Sequence, residues 1–160
     1  MEDLKKILSE HPFFRDLAPE YLEAIVGCAS NARFNTNEYL FKEGQPAEKF
    51  FLIRHGLVAI ETYIPGQAPL TIQTVEEGNV MGWSWLFPPH RWHFDARALE
   101  LTRAIVMDGK CIRDKSEKDK VLGYELMVRF ARVLQERLES TRLQLVDVYK
   151  SPKYATIFNR

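Results

Sequence analysis

The feature that most constrains the fold is a series of short segments of β character, punctuated by glycines, between about residues 32 and 108. They read ARF, YLFKE, KFFLIRH, GLVAIETYI, LTIQTVEE, HFDARAL and RAIVMD, and are rich in β-branched and aromatic residues. Gly44, Gly56, Gly66 and Gly78 lie at their ends, where sharp reversals need positive backbone angles. So many short strands in succession predict a β-sandwich or barrel.

Helical patterns precede this β region. Leu4, Ile7 and Leu8 have the spacing of a first short helix. Pro19 occupies a position favoured at the start of a helix, and the apolar pattern after it continues to Val26. The connector between them, HPFFRDLAP, is tight. The sequence therefore predicts two N-terminal helices packed against the β region.

A long helix follows the β region. After Gly109 the pattern becomes helical, and from about residue 118 to residue 149 it predicts one continuous helix. One stripe alternates spacings of four and three, which is typical of a heptad seam, and comprises Met127, Ala131, Leu134, Leu138, Thr141, Leu145 and Val148. Leu126, Phe130 and Val133 lie on a second face. Two apolar stripes need two partners, so the heptad seam predicts a parallel homodimer.

Composition limits the classes of function. A chain of 160 residues with 46% hydrophobic residues buries one good core, so we expect one domain at 1–149 and a short tail at 150–160, whose Tyr154, Ile157 and Phe158 could dock. Lys+Arg and Asp+Glu both number 22, which gives no positive field to attract nucleic acid. The N-terminus lacks the apolar core of a secretory signal, and no segment is long enough to span a membrane. These features predict a cytoplasmic protein without nucleic-acid or membrane partners.

The chain has two cysteines, Cys28 and Cys111. They are far apart in sequence and lie in or beside segments of helical pattern. We therefore expect small buried thiols, not a disulfide or a metal pair, which fits a reducing compartment.

The segment from Gly78 to Ala98, GNVMGWSWLFPPHRWHFDARA, contains all three tryptophans of the chain within ten residues. Tryptophan is large enough to wall a pocket and costly to leave exposed. With the chain-stiffening Pro88-Pro89 pair beside it, the cluster predicts either a ligand cavity or a dense aromatic core. A short helix is expected from Ser84 to Phe87, ended by the prolines.

The same segment offers weak metal-binding chemistry. His90, His93 and Asp95 form an H-x-x-H-x-D spacing. The alternation that follows indicates that His93 is already on a strand and that Asp95 and Arg97 form a polar ladder on one face, so we predict no metal site. No carboxylate pair, nucleophile beside a base or phosphate loop is visible, and the sequence favours a protein that is not an enzyme.

Three segments together resemble the cyclic-nucleotide-binding domain of the catabolite activator and fumarate–nitrate regulator families. They are FRDLAPEYLEAI at 14–25, NEYLFKEGQPAEKFFLIRHGLVAI at 37–60 and EGNVMGWSWL at 77–86. With the long helix, the resemblance extends from Leu4 to Tyr149. It implies an α+β fold: a β jelly-roll (double-stranded β-helix) at about 32–108, N-terminal helices, and a long C-terminal dimerisation helix at about 118–149.

The resemblance also implies a ligand site. In that family the cyclic phosphate rests on the N-terminus of a short helix, an arginine supplies the counter-charge and a glutamate accepts the ribose hydroxyl. Here Trp83 follows Gly82 where the glutamate is expected, so the acceptor is missing. Arg91 lies near the spacing of the phosphate arginine, but Trp92 follows it in place of a small or hydroxyl residue. The phosphate-binding segment is therefore atypical.

The candidate ligand residues are Gly82, Trp83, Ser84, Trp85, Arg91, Trp92, Phe94 and Arg97. We expect a small-ligand-sensing regulatory module whose ligand is not a cyclic nucleotide, with no cofactor. For an anionic ligand, Arg91 and Arg97 are available; for an aromatic or acyl ligand, the indoles and Phe94 could line a cavity. Two alternatives stay open: a pocket filled by its own side chains in a structural or interaction module, or a true binder of cAMP or cGMP.

Regulators of this family usually continue into a helix-turn-helix after the long helix. About ten residues follow Tyr149 here, and together with the neutral charge this predicts a chain without that module. The output would then pass to a protein partner, through a ligand-driven shift of the hinge near 109–123 and of the helix that follows.

Overall fold

The computed structural model describes residues 3–151. Four helices are present in this part of the chain: α1 (Leu4–Glu10), α2 (Pro19–Val26), α3 (Gly109–Lys118) and α4 (Lys120–Lys150). The strands are β1 (Ala29–Phe34), β2 (Tyr39–Phe41), β3 (Lys49–His55), β4 (Leu57–Thr62), β5 (Leu70–Glu76), β6 (Val80–Met81), β7 (Asp95–Ala98) and β8 (Thr102–Asp108). Single 3-10 turns lie at Pro12–Phe14 and Ser84–Leu86.

The strands form two four-stranded antiparallel sheets. One sheet has the order β1-β8-β3-β6 and the other the order β2-β7-β4-β5. Consecutive strands thus alternate between sheets at several points, which produces a jelly-roll, as the family resemblance implied. Gly56 makes the change from β3 to β4 possible: its φ is +104°, and a Cβ there would lie 2.5 Å from Thr102 Oγ1.

Strand β3 separates two aromatic layers. Successive side chains of a strand point to opposite faces, so Phe50 and Phe51 face different sides. Phe51 belongs to the interior cluster between the sheets, which comprises Leu40, Phe41, Ala47, Phe51, Ile53, Val58, Ile60, Val75, Met81, Trp92, Ala96, Ala98 and Ala104. Phe50 contacts Phe13 of the first 3-10 turn, with ring centroids 6.1 Å apart. One face of β3 therefore closes the interior and the other supports the N-terminal segment.

The two N-terminal helices begin where the sequence predicted. Asp3 caps α1, its Oδ1 accepting the backbone N–H of Lys5 at 3.0 Å. Pro19 is in the first turn of α2, where a missing N–H costs nothing. Leu8, Leu22 and Ile25 are buried. The apolar faces read from the sequence are therefore the faces that pack.

The prediction of free thiols is wrong. Cys28 and Cys111 form a disulfide, with Cα atoms 5.6 Å apart and a sequence separation of 83. Cys28 immediately precedes β1, and Cys111 lies in the first turn of α3, three residues after β8 ends. Strands β1 and β8 pair, with Ala29 opposite Met107. The sheet thus brings together two residues that the sequence separates widely.

The helical region after β8 is divided by Asp119. Helix α3 ends there with extended angles (φ −126°, ψ 99°), and Oδ1 of Asp119 then accepts the N–H groups of Val121 and Leu122, each at 3.1 Å. Helix α4 therefore starts with its own side-chain cap. No helix within residues 3–151 combines the length and apolar character needed to cross a membrane.

The chain divides into two compact units at Glu125 and Leu126, within α4. In the second unit every residue of the predicted heptad seam is exposed except Leu134, which is half-buried. On the second predicted face Leu126 and Phe130 are buried and Val133 is half-buried. The tail residues Tyr154, Ile157 and Phe158, and the break expected at Pro152, lie outside the described residues.

His11 ties the N-terminal segment to the sheet. It is buried; its Nδ1 accepts the N–H of Phe13 at 3.2 Å, and its Nε2 donates to the carbonyl oxygen of Ile53 at 3.3 Å. These partners fit the neutral tautomer with its proton on Nε2. Burial lowers the pKa of His11, because the imidazolium would lose its hydration, while the Ile53 carbonyl acts in the opposite direction.

This pKa shift predicts a loss of stability in acid. Below the ordinary histidine pKa of about 6.5, His11 is protonated in the unfolded chain but still neutral in the folded chain. The free energy of unfolding therefore falls as the pH falls, by up to about 1.4 kcal/mol per pH unit. Urea unfolding at about pH 7.5 and about pH 5.5 measures this loss. In His11→Gln the loss should be smaller, and an equal loss in both proteins would contradict the assignment.

Candidate functional site

The tryptophan segment connects β6 to β7 through the 3-10 turn Ser84–Leu86 and a loop from 87 to 94. It does not gather its three indoles in one place. Trp92 lies in the interior cluster, whereas Trp85 stacks on Phe50, which faces the other side of β3, at 5.2 Å. Trp83 is half-buried. The interpretation of one cavity lined by all three tryptophans is therefore wrong, because β3 separates two of them.

Trp92 fills the interior of the roll. Its side chain is 4% exposed and stacks on Phe41 with ring centroids 3.8 Å apart and planes 11° apart. Backbone bonds fix its position: the N–H of Trp92 donates to the carbonyl of Gln45 at 3.0 Å, and its carbonyl accepts the N–H of Gly44 at 2.8 Å. The aromatic pair thus occupies the space between the two sheets.

Gly82 accommodates this indole. It has a φ of +94°, and a Cβ built on it would lie 2.9 Å from Cη2 and 3.1 Å from Cζ3 of Trp92. Real Cβ contacts are not this short. The glycine is thus required twice, by its backbone angle and by the ring against it.

Trp85 is buried against α3, and its neighbour Ser84 is buried as well. Trp85 is fully buried, and a Cβ on Gly109, the first residue of α3, would lie 3.0 Å from its ring. The Arg113 guanidinium donates to the Trp85 carbonyl at 2.9 Å and lies 6.0 Å from the centre of the indole ring. The 3-10 turn of the tryptophan segment is therefore joined directly to α3.

Trp83, His93 and Phe87 form a partly exposed aromatic group. The rings of Trp83 and His93 stack 5.6 Å apart, and Phe87 meets Trp83 edge-on at 6.4 Å. Phe94 is half-buried and packs against the interior cluster. Among the candidate ligand residues, Trp83 and Phe94 therefore retain partly accessible apolar surface.

Arg97 is engaged by a buried carboxylate. Its Nε and Nη2 donate to the two oxygens of Glu61 at 2.7 and 3.0 Å, and Nη1 donates to Asn37 Oδ1 at 2.8 Å. Glu61 is 3% exposed. The hydrogen bond to Glu61 raises the pKa of Arg97 further above its ordinary value. The bidentate face that would bind an anion is thus already occupied.

Arg91 is exposed and donates Nη1 to the carbonyl of Gly44 at 2.7 Å. Pro46 and Arg91 also form an isolated antiparallel β-bridge. Together with the side-chain hydrogen bond, it holds the 44–47 loop against residues 90–92. The role of Arg91 in the structure is therefore to fasten the loop beside Trp92.

The metal spacing is dispersed. His90 Nδ1 lies 2.9 Å from the Trp85 carbonyl, His93 stacks on Trp83, and Asp95 Oδ1 accepts the N–H of Glu43 at 2.8 Å. Within residues 3–151 no group of three potential ligands is arranged for a metal ion. The strand placement of His93 is wrong, since β7 begins at Asp95. Asp95 and Arg97 do share the half-buried face of β7, as predicted for the polar ladder, but each side chain has a different partner.

Sequence reasoning missed Glu61 and Phe41. Glu61 is an acid within the apolar run GLVAIETYI, and β4 is buried at every position from 58 to 61. An acid in a fully buried strand indicates a buried cationic partner, so the signal was present. Nothing in the sequence singles out Phe41 from the nine other phenylalanines.

A groove lies away from the tryptophan segment. It has a volume of about 830 Å³ and is bounded by α1, the following 3-10 turn, the end of β3 and the turn at 77–78. Lys6, Glu10, Arg54 and Glu77 line it, so charges of both signs are present. No residue between 82 and 98 contributes to it.

Comparison with known families decides the relationship. The family profile described as the cyclic nucleotide-binding domain matches residues 32–119, more than half of the chain. The chain belongs to the cyclic nucleotide-binding domain family. This match covers nearly all strands, the tryptophan segment and α3.

Two relatives are regulators. The chain is 23% identical to the anaerobic regulatory protein of Bacillus subtilis, over 95% of this chain and 63% of the relative. It is also 23% identical to the CRP-like cAMP-activated global transcriptional regulator of Mycobacterium tuberculosis, over 91% of this chain and 63% of the relative. The chain thus spans 63% of the length of these curated relatives, and the resemblance to the activator and regulator families is confirmed.

A solved structure shares the architecture. The protein of Geobacter metallireducens, classed with the cyclic nucleotide-binding proteins, superposes with a TM-score of 0.74 at 28% identity. The likeness covers 86% of this chain and 99% of the other. The predicted jelly-roll with a long C-terminal helix is confirmed.

The contact between Gly82 and Trp92 predicts an unequal effect of two glycine substitutions. Gly66→Ala, at φ +77° in open space, should cost about 1–2 kcal/mol from backbone strain alone. Gly82→Ala adds the clash with a buried ring and should cost about 2–5 kcal/mol. Urea unfolding measures the free energy of unfolding of both variants. Equal losses would mean that the Trp92 ring moves away from the new methyl group without cost.

Proposed function

We propose that this chain is a ligand-sensing regulatory module whose ligand is not a cyclic nucleotide. The observation that carries the proposal is the position of Trp92, which is 4% exposed and stacked on Phe41 between the sheets. An indole held there by backbone bonds at 44–45 fills interior space that a ligand between the sheets would need.

The polar groups around the segment support the same conclusion. Trp83 stands where the family resemblance implies a ribose acceptor, and it stacks on His93 instead. Arg97 is bound on its bidentate face by Glu61, and Arg91 by the Gly44 carbonyl. A cyclic phosphate would have to break one of these interactions to gain its counter-charge.

We place the ligand on the partly exposed aromatic surface of Trp83, Phe87 and Phe94. An aromatic or acyl group fits such a surface, since flat rings offer large contact area with few rotatable bonds. Occupation would be transmitted through the 3-10 turn, because Trp85 contacts Gly109 and Arg113 of α3. A ligand that prefers one position of α3 shifts the population toward it.

We further propose that the module acts as a cytoplasmic homodimer that signals to a protein partner. The exposed heptad seam supports the dimer, since Leu138 and Leu145 are 69% and 52% exposed on one stripe. The equal numbers of acidic and basic residues support a partner that is not nucleic acid. The relatives' roles as regulators support a role other than catalysis.

A second candidate is an interaction module without any ligand. The packing of the interior favours it, because the space between the sheets is filled by the protein's own side chains, among them Trp92, Phe41 and Met81. In that case the fold serves as a rigid support for α3, and the aromatic surface is a protein contact.

A thermal-shift and tryptophan-fluorescence panel tests the proposal. At about 1 mM, cAMP and cGMP should leave the melting temperature unchanged, whereas a suitable aromatic or acyl acid at a hundred times its Kd adds about 2.7 kcal/mol of stability. For a chain of this size that is an increase of about 5–10 °C. Trp83→Ala should abolish the shift, with Tyr63→Ala, an exposed aromatic elsewhere, as the control.

The other outcomes are distinct. Saturable stabilisation by a cyclic nucleotide, lost in Arg91→Ala, would overturn the proposal. If no compound stabilises the wild type but indole stabilises Trp92→Ala, the interior is self-filled and the interaction module is correct. That variant should itself lose about 3–5 kcal/mol, and Trp92→Leu provides a milder version.

Sedimentation equilibrium tests the dimer. Leu138→Glu places a carboxylate on the seam of each helix and should weaken the dimer by about 100-fold, which corresponds to about 2.7 kcal/mol. Leu143→Glu is the matched control, because Leu143 is 62% exposed on the same helix but off the seam. A monomeric wild type at micromolar concentration, or equal effects of both variants, would contradict the seam.

A further inference from the structure

The disulfide between Cys28 and Cys111 joins the end of the N-terminal helical segment to the first turn of α3. Helix α3 is the element that contacts the tryptophan segment, through Gly109 and Arg113. The cross-link therefore holds the same short helix that connects the roll to α4.

The sheet keeps the two sulfur positions close whether or not they are bonded. Ala29 pairs with Met107, and the Asp108 N–H donates to the Cys28 carbonyl at 2.9 Å. The N–H of Gly109 donates to the Glu48 carbonyl at 2.8 Å. These bonds do not involve sulfur, so a reduced pair stays within reach and can close again without refolding.

The two cysteine residues differ in exposure. Cys28 is 6% exposed, whereas Cys111 is half-buried at the surface of α3. Exchange of a disulfide requires a thiolate to reach one of its sulfurs. We therefore expect an external thiolate to attack Cys111. Cys28 is then the leaving thiolate in reduction and the attacking thiolate in reoxidation.

The fold also has a hydrophobic core large enough that a permanent disulfide is not required for its stability. Disulfides are indispensable mainly in small secreted domains that cannot build a sufficient core. Here the interior cluster contains thirteen buried residues, and on the cytoplasmic location proposed above a disulfide is more often transient and redox-sensing.

We propose that Cys28 and Cys111 form a reversible redox site, operated by a low-molecular-weight thiol of the glutathione class, that fixes or frees the first turn of α3. This goes beyond ligand sensing and does not depend on the identity of any ligand. The oxidised pair holds α3 to residue 28; the reduced pair leaves α3 anchored by Ile112 and by Arg113 on the Trp85 carbonyl.

The exchange balances in two steps. A reductant thiolate attacks Sγ of Cys111, a mixed disulfide forms, the Cys28–Cys111 bond breaks, and Cys28 leaves as a thiolate. A second thiolate attacks the reductant sulfur of the mixed disulfide and releases the Cys111 thiolate. One disulfide and two small thiols thus become two cysteine thiols and one oxidised small disulfide, and oxidation is the reverse.

The test uses the intact chain, oxidised and without denaturant, in buffers of increasing reduced-to-oxidised glutathione ratio. After acid quenching, alkylation with N-ethylmaleimide and mass measurement count the free thiols. We expect a reversible change from no adduct to two adducts at millimolar glutathione, with any mixed disulfide mapped to Cys111. Hydrogen exchange of residues 109–118 should rise several-fold on reduction, while that of 95–98 stays the same.

Cys111→Ser is the control. It should show the hydrogen exchange of the reduced wild type at 109–118, and glutathione should not change it. Cys28→Ala provides a second variant with the same expectation.

Three outcomes would each overturn the proposal. Adducts that appear only after unfolding would make the bond a permanent staple. If oxidised glutathione does not re-form the disulfide between the two reduced cysteines, they are not a reversible redox pair. Reduction without any change in exchange at 109–118 would mean that α3 does not respond to it.

Discussion

The stacking of Trp92 on Phe41 is the interaction on which the rest of the roll depends. It fills the space between the sheets, requires a glycine at position 82, and draws the 44–47 loop against residues 90–92 through backbone bonds. An indole of this size contributes more buried area than any aliphatic residue around it. The family's fold is retained, and an indole of the segment that the resemblance links to ligand binding lies in the interior cluster.

Helix α3 is the point where the other features meet. It begins against Trp85, it carries Cys111 in its first turn, and it ends at Asp119, whose side chain starts the long helix. A ligand on the aromatic surface and a change in redox state would therefore act on the same ten residues. Both proposed influences would bias one element, and this is the physical requirement for two signals to be coupled.

Local signals made much of this architecture predictable. Pro19, the glycines at strand ends and the heptad spacing gave the helices, the turns and the exposed seam, and the resemblance gave the jelly-roll. Contacts between distant parts of the chain were not predictable: the pairing of Cys28 with Cys111 spans 83 positions and depends on the β1–β8 register. The prediction of one cavity lined by the three tryptophans was wrong for the same reason. Closeness in sequence does not determine on which side of β3 each indole lies.

Strand β3 has a wider consequence. Phe50 and Phe51 are adjacent, yet one serves the helical layer and the other the interior. A substitution at Phe51 on the interior face therefore does not directly remove the stack of Phe50 on Trp85 beside α3. Under the function proposed above, this partition would let the side chains of the interior change while α3 keeps the same aromatic support.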